Sequence, residues 1–220
     1  RSDRLLLDVT QAVGRIPFGF AWSGADFAIL SAHKLGGPKG VGALYVSRRA
    51  RFRPLLLGGG QESGRRSGTE NVAGIVGLGV AAKLMGEQDS HAVTAMRDAF
   101  ESAVLTARPD AVINGARDQR LGTTSSLTFP GVDAAGLLIL LDKAGVCCSA
   151  GSACHAAAVH PSHVLEAMCL DAAHAGSTLR FSFCRYNTQE EIQSAAQAVV
   201  AGVNKMRELR GEGLVSRRES

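Results

Sequence analysis

Lys34 is the first residue of the chain whose surroundings suggest chemistry. The apolar run Phe27-Ala28-Ile29-Leu30 ends in Ser31, His33 and Lys34, and Leu35-Gly36-Gly37-Pro38-Lys39-Gly40 follows. A lysine fixed at the end of a buried strand can form a Schiff base if its amine is held oriented and partly deprotonated. Nearby glycines let a bulky partner approach the backbone. Taken alone, this window fits a surface lysine in a glycine-rich hairpin better, so other residues must decide.

Asp8 ends a short apolar strand, Leu5 to Val9, and Thr10-Gln11 follows it. An aspartate there suits the ring nitrogen of a pyridoxal phosphate; a plain strand-end cap explains it equally well. The segment from Gly58 to Thr69 is rich in glycine and serine, which predicts a loop with no regular element. Such a loop can offer backbone N–H groups and the Thr69 hydroxyl to an anion. It has no Walker or G-x-G-x-x-G spacing, so a nucleotide is not indicated. Every residue between Cys148 and Cys154 is small, which predicts a mobile loop that leaves Cys154 reachable, whereas Cys147 and Cys148 read as buried structural thiols. A thiol at Cys154 needs nearby positive charge to react as thiolate at neutral pH. Arg180 alternates with Leu179, Phe181 and Phe183 in a strand from Thr178 to Cys184, sharing the opposite face with Ser182. That guanidinium could clamp a carboxylate with two parallel hydrogen bonds, or serve a salt bridge at the rim.

The elements that must position these residues follow from pattern. Buried strands at Leu5–Val9, Asp26–Ser31 and Val41–Val46 predict an α/β sheet with ligands outside the strands' carboxyl ends. A small-residue helix runs from Glu70-Asn71 to about Gly86, and polar Gly86–Ser90 marks a domain boundary. Beyond it, His91 to Arg108 has helical spacing, Ala111–Asn114 and Ser125–Phe129 read as strands, and Asp133–Ala144 as a helix. Gly145–Cys148 is predicted as a strand and Pro161–Leu170 as a helix. Thr188-Gln189-Glu190-Glu191 is a capping box opening a last helix with Ile192, Ala196, Val199 and Val203 on one face, and the tail after Arg210 is predicted to fray. The second half is therefore an α+β unit.

Composition narrows the function classes. With 220 residues, 45% hydrophobic and 20% charged, the chain can bury a real core in one large or two modest domains. The net charge of +4 gathers at Arg48, Arg49, Arg51 and Arg53, at Arg65 and Arg66, and at Arg217 and Arg218. Few aromatics accompany those runs, so no nucleic-acid partner is expected. No apolar run reaches membrane-spanning length and no signal peptide opens the chain, so a cytoplasmic setting is the default. Five cysteines without a C-x-x-C argue against a disulfide framework, and no metal site is expected. Arg1-Ser2-Asp3-Arg4 lacks an initiator methionine and leads at once into a strand, as though the chain began inside a fold.

Four segments in order, Asp8 to Gln11, Ser31 to Gly42, Gly58 to Asn71, and Ser149 to Cys154 with Leu179-Arg180-Phe181-Ser182, resemble the cysteine desulfurases of the NifS/IscS group. These are class V aminotransferases with the PLP-dependent transferase fold type I, which is aspartate-aminotransferase-like. The resemblance implies that residues 1–88 are the C-terminal part of the large PLP-binding domain, and that 89–220 are the small C-terminal α+β domain with the cysteine loop. It implies pyridoxal 5'-phosphate as cofactor, with Lys34 as the Schiff-base lysine, Asp8 on the ring nitrogen, Gln11 on the ring hydroxyl, and Ser31 and His33 on the phosphate. Thr69 would reach the phosphate of a neighbouring subunit, which implies a homodimer. Arg180 would hold the carboxylate of L-cysteine, and Cys154 would take its sulfur as a persulfide for an iron-sulfur scaffold or other sulfur acceptor. Selenocysteine lyase chemistry and a truncated, inactive dimerisation or partner-binding domain are the alternatives.

The sequence departs from the family pattern in several places. Family members are nearly twice this length, and the part before Arg1 would supply further cofactor contacts; this chain alone is expected to bind the cofactor poorly and to be inactive. Cys169 and Cys184 stand where glycine is common, Ser63 where arginine is, and His155 where a small hydroxyl residue is. Cys169 follows a helix end, where a left-handed backbone would cost a cysteine about 1 kcal/mol.

Overall fold

The structure is a computed structural model, in which residues 3–87, 89–150 and 162–211 are described. The chain divides into two compact units, Arg1–Ser90 and His91–Ser220.

The first unit holds a three-stranded sheet in the order β1 (Leu6–Asp8), β2 (Phe27–Ser31), β3 (Gly42–Val46). Strand β1 runs parallel to β2, with Leu6 opposite Phe27 and Asp8 opposite Ile29. Strand β3 returns antiparallel, with Ser31 opposite Gly42. Between β2 and β3 lies a single 3-10 turn, Ala32–Leu35, closed by Gly36 in the left-handed conformation at φ 82°. Glycine tolerates that geometry because it lacks a Cβ.

Helix α1 (Val72–Gly86) starts at Asn71, whose side chain accepts a hydrogen bond from the Gly74 amide at 3.1 Å. It packs on the 3-10 turn through small residues. A Cβ placed on Gly77 would lie 2.8 Å from Cγ of Pro38, and one on Gly37 would lie 3.1 Å from Cβ of Ala81. Burial here falls on small side chains, Ala25, Ala28, Ala32 and Ala81, with Val9 and Leu35. Larger apolar residues such as Trp22, Leu55, Leu57 and Val76 stay exposed.

The second unit is an antiparallel sheet in the order β4 (Val112–Ile113), β5 (Thr124–Thr128), β7 (Thr178–Ser182), β6 (Ser149–Ala150). Its helices are α2 (Ser90–Ala107), α3 (Ala134–Lys143), α4 (His163–Ala167), α5 (Ala172–Ala175) and α6 (Gln189–Leu209). Phe100, Leu127, Phe129, Leu137, Leu141, Leu179 and Val199 are all at most 1% exposed and form one core. The Phe100 ring meets Phe181 at a tilt and Phe183 edge-on, at 4.9 and 5.4 Å between centroids. Glu101, buried on α2, takes both Arg120 terminal nitrogens at 2.7 and 2.6 Å, which satisfies a carboxylate that burial would otherwise penalise. The capping box at Thr188 and Glu191 forms as the sequence predicts, and α6 buries Ile192, Ala196, Val199 and Val203.

The structure corrects several expectations. Gly145–Cys148 is not a strand: Gly145 takes a positive φ after α3, and pairing begins only at Ser149. Cys147 is exposed, whereas Cys148 is half-buried and packs against the core of the second unit. The helix expected over Pro161–Leu170 stops at Ala167, Pro161 falls outside the described residues, and a separate turn, α5, follows. Within the Gly58–Thr69 loop, Gln61–Gly64 coils into a short turn, with Glu62 and Ser63 at φ 50° and 58°. The tail expected to fray after Arg210 lies outside the described residues beyond Gly211. Among the described residues no helix is long and apolar enough to cross a membrane.

Cys169 adopts φ 64°, while its N–H and that of Leu170 close the end of α4 onto the Glu166 and Leu165 carbonyls. Cys169→Gly is expected to raise stability by about 1 kcal/mol in urea unfolding, with the slope unchanged. Gly77→Val, by contrast, forces its side chain into Pro38 and should lower stability by about 1–3 kcal/mol in the same measurement.

Candidate functional site

Parallel pairing places the carboxyl ends of β1 and β2 side by side, and the candidate ligands follow from that. Asp8 ends β1 with its carboxylate exposed; its Oδ1 accepts the Thr10 N–H at 3.0 Å. Hydrogen bonds from the Thr10 side chain, and then from its backbone amide, hold the Asp8 carboxyl below the usual aspartate value, against a small opposing effect of burial. The chain then turns tightly, with the Ala12 and Val13 amides donating to the Val9 carbonyl. That turn carries Gln11, which is exposed.

Ser31 ends β2 in an extended conformation and its Oγ lies 2.8 Å from Nδ1 of His33. Lys34 stands on the 3-10 turn, exposed and without an ion pair among the described residues. Its carbonyl accepts a hydrogen bond from Arg15 at 2.8 Å. The structure thus brings Asp8, Gln11, Ser31, His33 and Lys34 to one end of one parallel pair.

Thr69 stands in the loop before α1. There Ser67 Oγ accepts the Gly59 N–H at 2.9 Å and Gln61 Oε1 accepts the Gly68 N–H at 3.2 Å, so the loop is cross-tied and leaves the Thr69 side chain exposed. Arg180 belongs to the second unit, on the central strand β7, with Ser126 of β5 and Ser149 of β6 opposite it on either side. Its side chain makes no ion pair among the described residues. Cys154 falls within residues 151–161, outside the described residues. Cys148, next to Ser149 in sequence, has its thiol pushed up to about 11 by burial, with Cys147 and Asp142 adding to the effect.

Sequence reading missed Arg15. A basic residue in a short polar turn carries no motif, and only the fold shows that it reaches across to the Lys34 carbonyl.

These groups fit pyridoxal phosphate. A carboxylate kept ionised suits a pyridinium nitrogen, a hydroxyl paired with an imidazole suits a phosphate, and an amine free of counter-charge suits an aldehyde. Among the described residues no cluster of three or more metal-ligating side chains occurs.

Residues 3–194 match the profile of the family described as Aminotransferase class-V. The chain belongs to that family. It is 45% identical over 206 residues to a cysteine desulfurase of Nostoc sp., covering 92% of this chain and 52% of that protein. The structure superposes on the NifS-like protein from Rickettsia africae with a TM-score of 0.79 at 34% identity, covering 90% of this chain and 53% of the other. It also matches SspA, solved in complex with cysteine, with a TM-score of 0.65 at 33% identity, over 84% of this chain and 51% of that one. The chain is thus a homologue of the cysteine desulfurases and spans about half the length of the curated relatives it matches.

The depressed Asp8 pKa sets an acid-side prediction. Its folded value lies below its unfolded one, so its contribution to stability is present above the unfolded value and is lost as pH falls through the folded value. The carboxyl carbon resonance of Asp8 is expected to titrate below the ordinary aspartate value, and replacing Thr10 with valine should move the midpoint up towards that value.

Proposed function

We propose that this chain carries part of a pyridoxal-phosphate-dependent cysteine desulfurase, which converts L-cysteine to alanine and leaves the sulfur on Cys154. The observation that supports it most is the gathering of Asp8, Ser31, His33 and Lys34 at the carboxyl ends of β1 and β2. Bound there, the cofactor would supply an electron sink for negative charge developing at the substrate Cα.

The chain's own residues have separable tasks. Ser31 and His33 hold the phosphate, and Asp8, kept ionised by Thr10, holds the pyridinium nitrogen charged. Gln11 bonds the ring hydroxyl. Lys34 would hold the cofactor through its amine and, when free, would move the proton at the substrate Cα. Arg180 binds the substrate carboxylate, aided by the small serines opposite it, which leave its guanidinium room to present two donors. Cys154 attacks the substrate sulfur: its S–H proton is given up, an S–S bond forms, the C–S bond breaks, and the carbon takes a proton to become the alanine methyl. The persulfide then passes to a sulfur acceptor such as an iron-sulfur scaffold. Thr69 serves the partner subunit of a homodimer, and the cytoplasm is the setting for this chemistry.

The test is alanine and sulfide release from L-cysteine, with pyridoxal phosphate and a thiol reductant present. It compares this chain, a version joined to the N-terminal half of a full-length relative, and Lys34→Ala, Cys154→Ala and Arg180→Ala in that longer version. Lys34→Ala and Cys154→Ala should each lower alanine release by more than a hundredfold, and Arg180→Ala should mainly raise KM. Alanine release at the unaltered rate from Lys34→Ala or Cys154→Ala overturns the reading. Faster turnover of selenocysteine that does not need Cys154 would point instead to a lyase.

A further inference from the structure

We propose that Arg15 is the positioning residue that fixes Lys34 relative to Asp8. One terminal nitrogen of Arg15 donates to the Lys34 carbonyl at 2.8 Å, and the other donates to the Thr10 carbonyl at 3.3 Å. Thr10 in turn donates its N–H to Oδ1 of Asp8 at 3.0 Å. A continuous path of hydrogen bonds therefore joins the Asp8 carboxylate to the backbone of Lys34, across the gap between two strand ends.

Backbone accounting strengthens the assignment. In the 3-10 turn, the Ala32 carbonyl is taken by the Gly37 amide at 2.9 Å and that of His33 by the Gly36 amide at 3.4 Å. The Lys34 carbonyl is taken by Arg15. Without the guanidinium that acceptor is left to solvent, and the turn loses its tie at the residue whose side chain matters. The Arg15 backbone is itself anchored, its N–H donating to the Ala12 carbonyl at 3.0 Å. No carboxylate pairs with Arg15 among the described residues, so its charge is directed at two neutral carbonyls. Burial opposes that charge and lowers its pKa, although the group stays ionised at every pH the fold meets. A planar fork with fixed donors can hold two acceptors from separate segments at once; a lysine ammonium there can hold one well.

This assignment rests on the reading of Lys34 as the amine that meets the cofactor aldehyde. The test uses the 220-residue chain and pyridoxal phosphate, with borohydride reduction after set times and peptide mass spectrometry to locate the label among its lysines. Lys39, exposed in the same connection, serves as an internal control. In the unaltered chain Lys34 should be labelled faster than Lys39. Arg15→Met keeps the apolar stem and should slow Lys34 labelling about tenfold, with Lys39 unchanged; Arg15→Lys should recover part of the loss. Equal slowing at both lysines, or Lys34 labelling untouched in Arg15→Met, overturns the assignment while leaving the cofactor site standing. Where only the version joined to the N-terminal half of a relative prefers Lys34, the Arg15 variants are compared in that version; no preference for Lys34 in either overturns the cofactor reading of Lys34 and this inference with it. If Arg15→Met does not fold, judged by circular dichroism, Arg15→Lys decides alone: labelling of Lys34 slower than in the unaltered chain, at unchanged melting temperature and unchanged Lys39 labelling, supports the assignment, and an unchanged Lys34 rate overturns it.

Discussion

The pairing of β1 with β2 is the constraint on which the candidate site stands. Strand β1 is only three residues long, and its register against β2 puts Asp8 opposite Ile29. A slip of one residue would turn the Asp8 side chain to the other face of the sheet and break its relation to Ser31 and Lys34. Such a short strand has few hydrogen bonds with which to hold register. The ties beyond it matter for that reason: the Val9 N–H donates to the Ile29 carbonyl, and the Asp26 carboxylate accepts the Leu5 N–H. Together they extend the grip at both ends.

The two units hold their residues by different means. In the first, the 3-10 turn is seated by closeness, with glycine and alanine letting α1 come within contact of its backbone. Little apolar area is buried there, and shape carries the placement. In the second, Arg180 sits on the strand whose neighbours on both sides are paired, above a core of phenylalanine, leucine and valine. Burial of Leu179 and Phe181 on one face fixes which way Arg180 faces on the other, and burial of side chains of that size contributes about 1.5–3 kcal/mol each.

Much of this was legible from pattern. Alternation in Leu179 to Phe183 gave the two faces of β7 correctly, and the Thr188–Glu191 spacing marked the start of α6, because both signals are local. Cys169 was marked as strained because it follows a helix end and stands where the resembled family commonly has glycine, and its φ of 64° agrees. The misses have a common cause. Gly145–Cys148 is apolar enough to read as a strand, but strand pairing depends on a partner's position, and the edge of β7 is met only at Ser149. Cys147 was read as buried from its residue type, although the turn after α3 leaves it outside the core. Of the candidate site, residue types drew attention to Asp8 and Lys34 at strand ends but left ordinary readings open, and the resemblance to the family supplied the roles proposed for them, Gln11, Ser31 and His33. The Arg15 link was beyond reach, since a carbonyl acceptor leaves no trace in the identity of the residue that bears it.

The half-buried thiol of Cys148 has a consequence for any chain that handles sulfur. With its pKa pushed up to about 11, only a small fraction of Cys148 is thiolate at neutral pH. Exchange of sulfur between cysteines proceeds through attack by a thiolate, so its rate at Cys148 falls with that fraction. Cys148 is therefore a slow partner in thiol–disulfide exchange at neutral pH.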